Sequence, residues 1–357
     1  MIPMAKPTMG EKEKEAVMKV LDSGMLAHGP EVVKFEEEFS SFTNVKHGAG
    51  VSNGTSAIHL ALAALGIGPG DEVITTSFSF IASASPILFL GAKPTFTDID
   101  PRTFNMDPSS LKSKISERTK AIIPVHLYGQ SAEMDEILEL AGDIPVLEDC
   151  AQAHGAKYKG KSVGSMGKCG MFSFYPTKNM TTGEGGMVVS NDEEFIEKVR
   201  MLRNHGQVSR YDHHVVGYNL RMTSIAAAIG RVQLDNLPEK NRSRIENGNH
   251  LTEGLSDIDG ITPPHVEDYN RHVFHQYTIR VKNNRDSLME GLKRKEIGSK
   301  VFYPTTLTSS PALRKYANGD YPEAEKACNE VLSLPVHPGV SKDEIDTITG
   351  AIRELIP

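Results

Sequence analysis

Cysteine is scarce in this sequence, and it has no long apolar run. Only three of the 357 residues are cysteine, Cys150, Cys169 and Cys328, and no two of them form a C-x-x-C pair. Neither a disulfide framework nor a zinc site is therefore expected. No stretch reaches the roughly 18 consecutive apolar residues of a membrane helix, and the N-terminus lacks an apolar signal core. We expect a cytoplasmic protein with reduced thiols and no membrane partner.

An excess of basic residues is also missing. The chain has 39 lysines and arginines against 46 aspartates and glutamates, which gives a formal net charge of −7 at pH 7. Proteins that bind the phosphates of nucleic acid need the opposite balance, so we expect no nucleic-acid partner. With 357 residues and 39% hydrophobic side chains, the chain is long enough for a large core and a second, smaller unit.

Short apolar runs alternate with helical stretches from Lys46 to about Asn204. Gly, Pro and Asp separate them as in βα units, which predicts an α/β fold with a mostly parallel sheet flanked by helices. The runs are short and rich in Val, Ile or Phe, as expected of strands buried on both faces. The predicted strands are Glu72–Thr76, Pro94–Asp98, Lys120–Val125, Pro145–Glu148, Met171–Phe174 and Met187–Ser190.

The C-terminal third has a different pattern. A helix is predicted from Ser224 to about Leu255 with a break at Pro238, because proline cannot donate the backbone hydrogen bond of a helix interior. A strand at Gln276–Val281 and a helix at Arg285–Lys295 follow. We therefore predict a large domain over residues 1–238 and a smaller C-terminal α+β domain over residues 239–357.

The segment Ser52–Ala57 lies where a predicted strand passes into a helix. Gly54, Thr55 and Ser56 offer free backbone N–H groups and hydroxyls at the positive end of the helix dipole, a combination that can bind a phosphate. An ordinary helix N-cap uses the same residue types, so this motif alone does not decide between the two.

Asp149 directly follows a short apolar strand, which puts it at the edge of the sheet where open α/β folds bind ligands. A buried carboxylate there needs a cationic partner, and a protonated pyridine nitrogen would be one. Gln152, three residues on, could reach the phenolic oxygen of the same ring. The alternative is an acidic residue that caps the next turn.

Lys178 follows an aromatic strand and a Pro-containing turn, and a glycine-rich run comes soon after it. Most lysines are solvated surface charges, because burying an unpaired ammonium is costly. A lysine that is held inside such a setting indicates a function. Covalent binding of an aldehyde is one such function, and desolvation makes the amine easier to deprotonate.

Taken together, a phosphate-binding turn, an aromatic residue, Asp-x-x-Gln and Ser-x-x-x-x-Lys are typical of a pyridoxal-phosphate pocket. Over nearly its whole length the chain resembles the DegT/DnrJ/EryC1/StrS family of sugar aminotransferases. This resemblance implies fold type I, the aspartate-aminotransferase-like architecture. The matching strings are Asn53–Ala57, Gly70–Ile74, Thr119–His126, Glu148–Asp149, Ala151–Gly155, Phe172–Asn179 and Leu202–Gly206.

The resemblance implies a role for each matching residue. Lys178 would carry the cofactor covalently and then move the proton between substrate and cofactor, and Asp149 would pair with the pyridinium nitrogen. The remaining predicted cofactor contacts are Gln152 at the ring hydroxyl, Phe80 on the ring face, and Gly54, Thr55, Ser56 and Ser173 around the phosphate.

Asn219 lies in a long polar segment between His205 and Thr223, which is too irregular for an ordinary connector. It resembles the family asparagine that reaches the phosphate of the neighbouring subunit's cofactor, which implies a homodimer with shared sites.

Each of these roles has a structural alternative. Taken singly, Phe80 could be a core aromatic, Ser173 a satisfied strand hydroxyl and Asn219 a turn former; their joint occurrence favours the functional interpretation. His154, His205 and His213 are interpreted as structural rather than catalytic.

The resemblance implies a ping-pong aminotransferase. An amino group, by resemblance from L-glutamate, would pass to a keto-deoxysugar carried on a nucleotide, for a surface polysaccharide. Sugar deoxygenases that carry His at the lysine position, and a non-catalytic regulatory protein with the same fold, are the alternatives; Lys178 disfavours both. The segment Phe302–Leu307 departs from the Pro-Leu-His run of many relatives, which leaves the identity of the sugar open.

Overall fold

The computed structural model describes residues 1–356. Its strands are β1 His47–Val51, β2 Glu72–Thr76, β3 Lys93–Thr97, β4 Thr119–Ile123, β5 Leu147–Asp149, β6 Lys157–Tyr158, β7 Lys161–Ser162, β8 Cys169–Ser173, β9 Gly186–Ser190, β10 Gln207–Ser209, β11 Asp212–His213, β12 Ile261–Thr262, β13 Asn270–Arg271, β14 Tyr277–Val281 and β15 Val331–Leu334. Its α-helices are α1 Glu11–Ser23, α2 Pro30–Thr43, α3 Gly54–Ala64, α4 Ser85–Phe89, α5 Pro108–Lys114, α6 Met134–Ala141, α7 Glu193–Leu202, α8 Ser224–Leu255, α9 Arg285–Arg294, α10 Pro322–Glu330 and α11 Lys342–Leu355. Short 3₁₀ helices lie at Ile81–Ser83, Leu127–Gly129, Leu307–Ser309 and Arg314–Tyr316.

A central sheet of seven strands has the order β1-β9-β8-β5-β4-β2-β3. Parallel bridges between Ile122 and Val146 and between Val125 and Asp149 join its two halves. Strand β9 runs antiparallel to β1 and β8, and the other six strands share one direction. The predicted α/β fold with a mostly parallel, mixed sheet is therefore confirmed, and six strands end at one edge.

Helices cover both faces of this sheet, because successive side chains of a buried strand point to opposite sides. On β8, Met171 packs into the core under α3 and α7, whereas its neighbour Phe172 packs into the core under α2 and α8. Both layers are apolar, as the short Val- and Phe-rich runs predict. The six predicted strands all form, with ends shifted by at most two residues.

The C-terminal part contains a second, antiparallel sheet of the order β12-β14-β15. Helix α11 begins with a capping box between Ser341 and Glu344 and buries Ile345, Ile348 and Ile352 against this sheet. The spacing of these three isoleucines follows the helical period, which explains why this face packs inward.

The predicted break at Pro238 is wrong. Helix α8 runs without interruption through Pro238, and it extends from the core of the central sheet to that of the C-terminal sheet. Packing along the whole helix outweighs the hydrogen bond that proline removes. The division into residues 1–238 and 239–357 stays a prediction.

The segment between His205 and Thr223 is not a plain loop. Strands β10 and β11 pair as a small antiparallel hairpin, and Val208 and Tyr211 within it and Val216 just after it are exposed. The three cysteines are buried and free. No helix within residues 1–356 combines the length and the apolar character that crossing a membrane requires.

Candidate active site

A cavity of about 550 Å³ opens at the edge of the central sheet where the parallel strands end. The turns after β1, β2, β5 and β8 all reach it, as the rule for open α/β sheets predicts. Seven of the nine predicted site residues line this cavity: Gly54, Thr55, Phe80, Asp149, Gln152, Ser173 and Lys178. Five of these seven are polar, and most of the polar residues in the cavity wall were not predicted.

The start of α3 forms one end of the cavity. Asn53 caps the helix, since its Oδ1 accepts the backbone N–H of Ser56 at 2.8 Å and the hydroxyl of Ser56 at 3.0 Å. The hydroxyls of Thr55 and Ser173 face the cavity without a hydrogen-bond partner among residues 1–356. Two free hydroxyls beside a helix N-terminus suit a phosphate group.

Gly54 permits close packing at this end. A Cβ added at Gly54 would lie 2.7 Å from Cβ of Ser173, well inside van der Waals contact. The absence of a side chain thus lets the first turn of α3 approach the end of β8, which brings the hydroxyls of Thr55 and Ser173 to the same wall.

Ser56 does not line the cavity. Its hydroxyl lies 3.0 Å from Oδ1 of Asn53 and 2.9 Å from Oγ of Ser52, and its side chain is buried. These bonds of Ser56 are those of an ordinary capped helix N-terminus. A phosphate contact from its hydroxyl stays a prediction.

Asp149 lies at the floor of the cavity and is buried. Its Oδ2 accepts the hydroxyl of Ser83 at 2.8 Å, and its Oδ1 accepts the backbone N–H of Ala151 at 3.1 Å. Burial raises the pKa of Asp149, although these hydrogen bonds and the nearby charge of Lys178 oppose the rise. The carboxylate has no ion-pair partner within residues 1–356, which makes it receptive to a cationic ligand group.

Lys178 is half-buried and lines the same cavity. Its backbone N–H donates to the carbonyl of Tyr175 at 2.9 Å, which closes the turn after the aromatic strand. Burial lowers the pKa of Lys178 to about 8, and the charge of Asp149 only partly offsets this effect. At pH 7 about a tenth of the amine is therefore unprotonated and nucleophilic, far more than for an ordinary lysine.

Gln152 is held by two partners. Its Oε1 accepts the backbone N–H of Tyr128 at 2.9 Å, and its Nε2 donates to the hydroxyl of Tyr303 at 3.0 Å. Tyr303 was not predicted as a site residue, although its segment was recognised as unusual. No local sequence pattern reveals a contact between residues 151 positions apart.

The rest of the lining comes from several parts of the chain and includes one further predicted residue, Phe80. Phe80 is more than half exposed and forms part of the mouth, as Lys300 and Phe302 do. The other unpredicted polar residues of the wall are Ser79, Ser83, Tyr175, Thr177, Glu184, His275 and Gln276.

His154 is buried near Lys178 and is neutral, whereas His213 is exposed. Burial lowers the pKa of His154 to about 3, and neither of its ring nitrogens has a partner within residues 1–356. His213 is exposed and lies 3.1 Å from the carbonyl of His205, away from the cavity. The structural interpretation of His154, His205 and His213 stays a prediction.

Asn219 lies outside the cavity of its own chain. It is exposed and forms an isolated antiparallel bridge with Asn204, next to the β10–β11 hairpin. A contact with the cofactor pocket of a second chain stays a prediction.

A buried group of His126, Glu148 and Cys150 has potential metal-ligand atoms within 4.8 Å of one another. However, His126 Nε2 is bonded to Glu148 at 3.0 Å, and its Nδ1 accepts the backbone N–H of Ala132. The carboxylate of Glu148 also accepts three backbone N–H groups at 2.7 Å. These hydrogen bonds already use the lone pairs that a metal would need.

The residues of the cavity fit pyridoxal phosphate. Free hydroxyls at a helix N-terminus match its phosphate, the unpaired carboxylate of Asp149 matches its pyridinium nitrogen, and the amine of Lys178 matches its aldehyde. Fold and site together define the class of pyridoxal-phosphate-dependent aminotransferases.

Comparison with known proteins gives the particular family. Residues 7–353 match the DegT/DnrJ/EryC1/StrS aminotransferase family, and the chain belongs to it. The family resemblance stated from the sequence is therefore confirmed.

Relatives share nearly the full length of the chain. The pleiotropic regulatory protein of Geobacillus stearothermophilus is 45% identical, over 97% of this chain and 95% of its own. The GDP-perosamine synthase of Caulobacter vibrioides is 41% identical, over 99% of this chain and 98% of its own. The crystal structure of S. venezuelae DesV in complex with a ketimine intermediate superposes with a TM-score of 0.94 at 38% identity, covering 96% of this chain and 94% of DesV.

Proposed function

We propose that this chain uses pyridoxal phosphate, bound at Lys178, to transfer an amino group to a keto-deoxysugar carried on a nucleotide. The observation that carries the proposal is the half-buried amine of Lys178, whose pKa is lowered to about 8, in one cavity with the buried carboxylate of Asp149. An amine and a carboxylate kept apart in this way bind the two ends of a pyridoxal ring system.

The polar wall assigns a role to each group. Thr55 and Ser173 would donate to the phosphate, and Asp149 would accept the proton of the ring nitrogen. Phe80 would cover the ring face at the mouth. When bound, the cofactor supplies an electron sink for the negative charge that develops at the reacting carbon.

Lys178 would perform the proton transfer. With the cofactor bound, Nζ of Lys178 would accept and return a proton on the side of the cavity that it lines. A pKa of about 8 suits this task, because an acid–base group works best when its pKa is close to the operating pH. The turn that bonds the backbone of Lys178 to Tyr175 fixes the point at which its side chain leaves the backbone beside the cavity.

An anionic, sugar-bearing substrate is supported by the mouth of the cavity. Lys300 lies there with its ammonium 5.1 Å from the ring centroid of Phe302 and without an ion pair within residues 1–356. An unpaired cation suits the diphosphate of a nucleotide sugar, and exposed aromatic faces suit a sugar ring or a base. The C. vibrioides relative is named for the synthesis of a nucleotide-linked amino sugar.

Several parts of the proposal rest on the family resemblance. They are L-glutamate as the amino donor, a homodimer with shared sites completed by Asn219, and a role in surface polysaccharide synthesis. A cytoplasmic location stays a prediction from the cysteine content of the sequence. The two-domain division near residue 238 stays a prediction from the change of sequence pattern after that residue.

The alternative with a specific observation behind it is a regulatory protein, since the G. stearothermophilus relative carries such a name. A protein that only senses a ligand has no need of an amine with a lowered pKa. The intact set of Lys178, Asp149 and Gln152 favours turnover.

Incubation of the holoenzyme with glutamate and a panel of nucleotide keto sugars tests the proposal. We expect glutamate to shift the visible absorbance band, a keto sugar to restore it, and mass spectrometry to detect the aminated sugar. The Lys178→Ala variant is expected to form no product. A band that responds to neither substrate would support the regulatory alternative.

A further inference from the structure

Tyr303 joins the C-terminal part of the chain to the cofactor wall. Its hydroxyl accepts a hydrogen bond from Nε2 of Gln152 at 3.0 Å, and its ring lines the cavity. The ring packs edge-on against Phe78 at 5.9 Å and is tilted against Phe80 at 6.5 Å. Tyr303 is thus fixed by aromatic neighbours on one side and by a hydrogen bond on the other.

The hydrogen bonds determine how the amide of Gln152 is oriented. The backbone N–H of Tyr128 can only donate, so the atom of Gln152 that it meets at 2.9 Å must be the oxygen. The nitrogen of the amide is therefore on the side of Tyr303. One of its two N–H groups is used on the tyrosine oxygen, and the second remains available.

The bond from Gln152 also determines which role the hydroxyl of Tyr303 has left. Since its oxygen accepts from Gln152, its own O–H group is left to donate elsewhere in the cavity. Burial raises the pKa of Tyr303, so the phenol remains protonated at neutral pH. A second tyrosine supports the arrangement, because the hydroxyl of Tyr128 donates to the backbone carbonyl of Phe302, next to Tyr303.

We propose that Tyr303 is a positioning residue that holds the amide of Gln152 so that its free N–H faces the phenolic oxygen of the bound cofactor. This inference rests on the proposed function. Without the tyrosine oxygen, the amide keeps only its bond to Tyr128 and can turn about its last torsion. The donor would then be lost from the phenolic oxygen for part of the time.

The predicted consequence is a change in the acidity of the coloured link between Lys178 and the cofactor. A donor at the phenolic oxygen stabilises negative charge there, which weakens proton binding at the adjacent nitrogen. In Tyr303→Phe we expect the midpoint of the spectrophotometric pH titration to rise by about one unit, the size expected for one hydrogen bond.

Two further variants separate positioning from a general effect. Gln152→Ala is expected to raise the midpoint in the same direction, and the double variant is expected to rise no further than Gln152→Ala, because the two residues act as one unit. Tyr321→Phe is the matched control. It removes a buried hydroxyl that donates to Asn318 at 2.7 Å, and its midpoint is expected to stay at the wild-type value.

Thermal unfolding of each variant accompanies the titrations. If Tyr303→Phe proves too unstable, Tyr303→Leu removes the same oxygen and gives a second reading. An unchanged midpoint in the tyrosine variant, or additive shifts in the double variant, overturns the inference. A wild-type protein without any visible band would instead contradict the proposed function, so the two failures are distinguishable.

Discussion

At the scale of single residues, burial accounts for the chemistry of this site. Lys178 loses part of its hydration, which favours its neutral form. Burial raises the pKa of Asp149, and the hydroxyl of Ser83 and the N–H of Ala151 oppose that rise. The two groups lie in one cavity without forming a salt bridge within residues 1–356. The amine of Lys178 and the carboxylate of Asp149 are therefore both available to bind a ligand.

The lowered pKa of Lys178 predicts a specific pH dependence. Only the neutral amine attacks an aldehyde, so the rate at which cofactor-free protein captures pyridoxal phosphate should rise with pH and level off above about pH 8. Stopped-flow absorbance would measure it, with Lys178→Ala as the background. A rate that keeps rising toward pH 10.5, the ordinary value for lysine, would contradict the predicted environment.

The same shift affects the stability of the cofactor-free fold. Because the pKa is lower in the folded than in the unfolded chain, the unfolded chain binds more protons between pH 8 and 10.5. The protonated lysine thus destabilises the fold below pH 8, and this cost fades as the pH rises through that window.

At the scale of elements, local sequence patterns predicted the positions of strands and helix ends that depend mainly on neighbouring residues. The strands that end at the site are short, apolar and bounded by turn residues, and all six predicted ones form. Helix α3 begins after Asn53 as its capping residues indicate. Among the predicted strands are β2, β5 and β8, whose following turns carry site residues to the same edge of one sheet.

The sequence was less informative about features that depend on packing between distant parts of the chain. Pro238 predicts a helix break, yet the contacts of α8 with two cores keep the helix whole. Tyr303 reaches Gln152 from the distant C-terminal part, and only the folded chain reveals that contact.

At the scale of the whole molecule, one feature of the chain lies apart from its own site. Apolar side chains are exposed in and just after the β10–β11 hairpin, among them Val216 at 93% exposure. Asn219 lies on the surface three residues further along the chain. Exposed apolar groups of this kind are typical of a surface that contacts another protein. A second copy of the chain is the partner that the family resemblance implies.

Mixed dimers test whether Asn219 acts across subunits. We expect a hybrid of Lys178→Ala and Asn219→Ala subunits to have one intact site, because Lys178 of one chain would meet Asn219 of the other. Co-expression with two affinity tags isolates the hybrid for activity assays. A hybrid of Lys178→Ala and Asp149→Asn subunits is the control, since both residues line the same cavity and no site is whole. A first hybrid no more active than its parents would contradict subunit sharing.

The most direct test of the account is to identify the lysine that binds the cofactor. Reduction of the coloured holoenzyme with borohydride makes the link permanent, and peptide mapping by mass spectrometry then locates it. We expect the label on Lys178 and none in Lys178→Ala. A label on another lysine, or an unlabelled Lys178 in coloured protein, would contradict the assignment of this cavity as the active site.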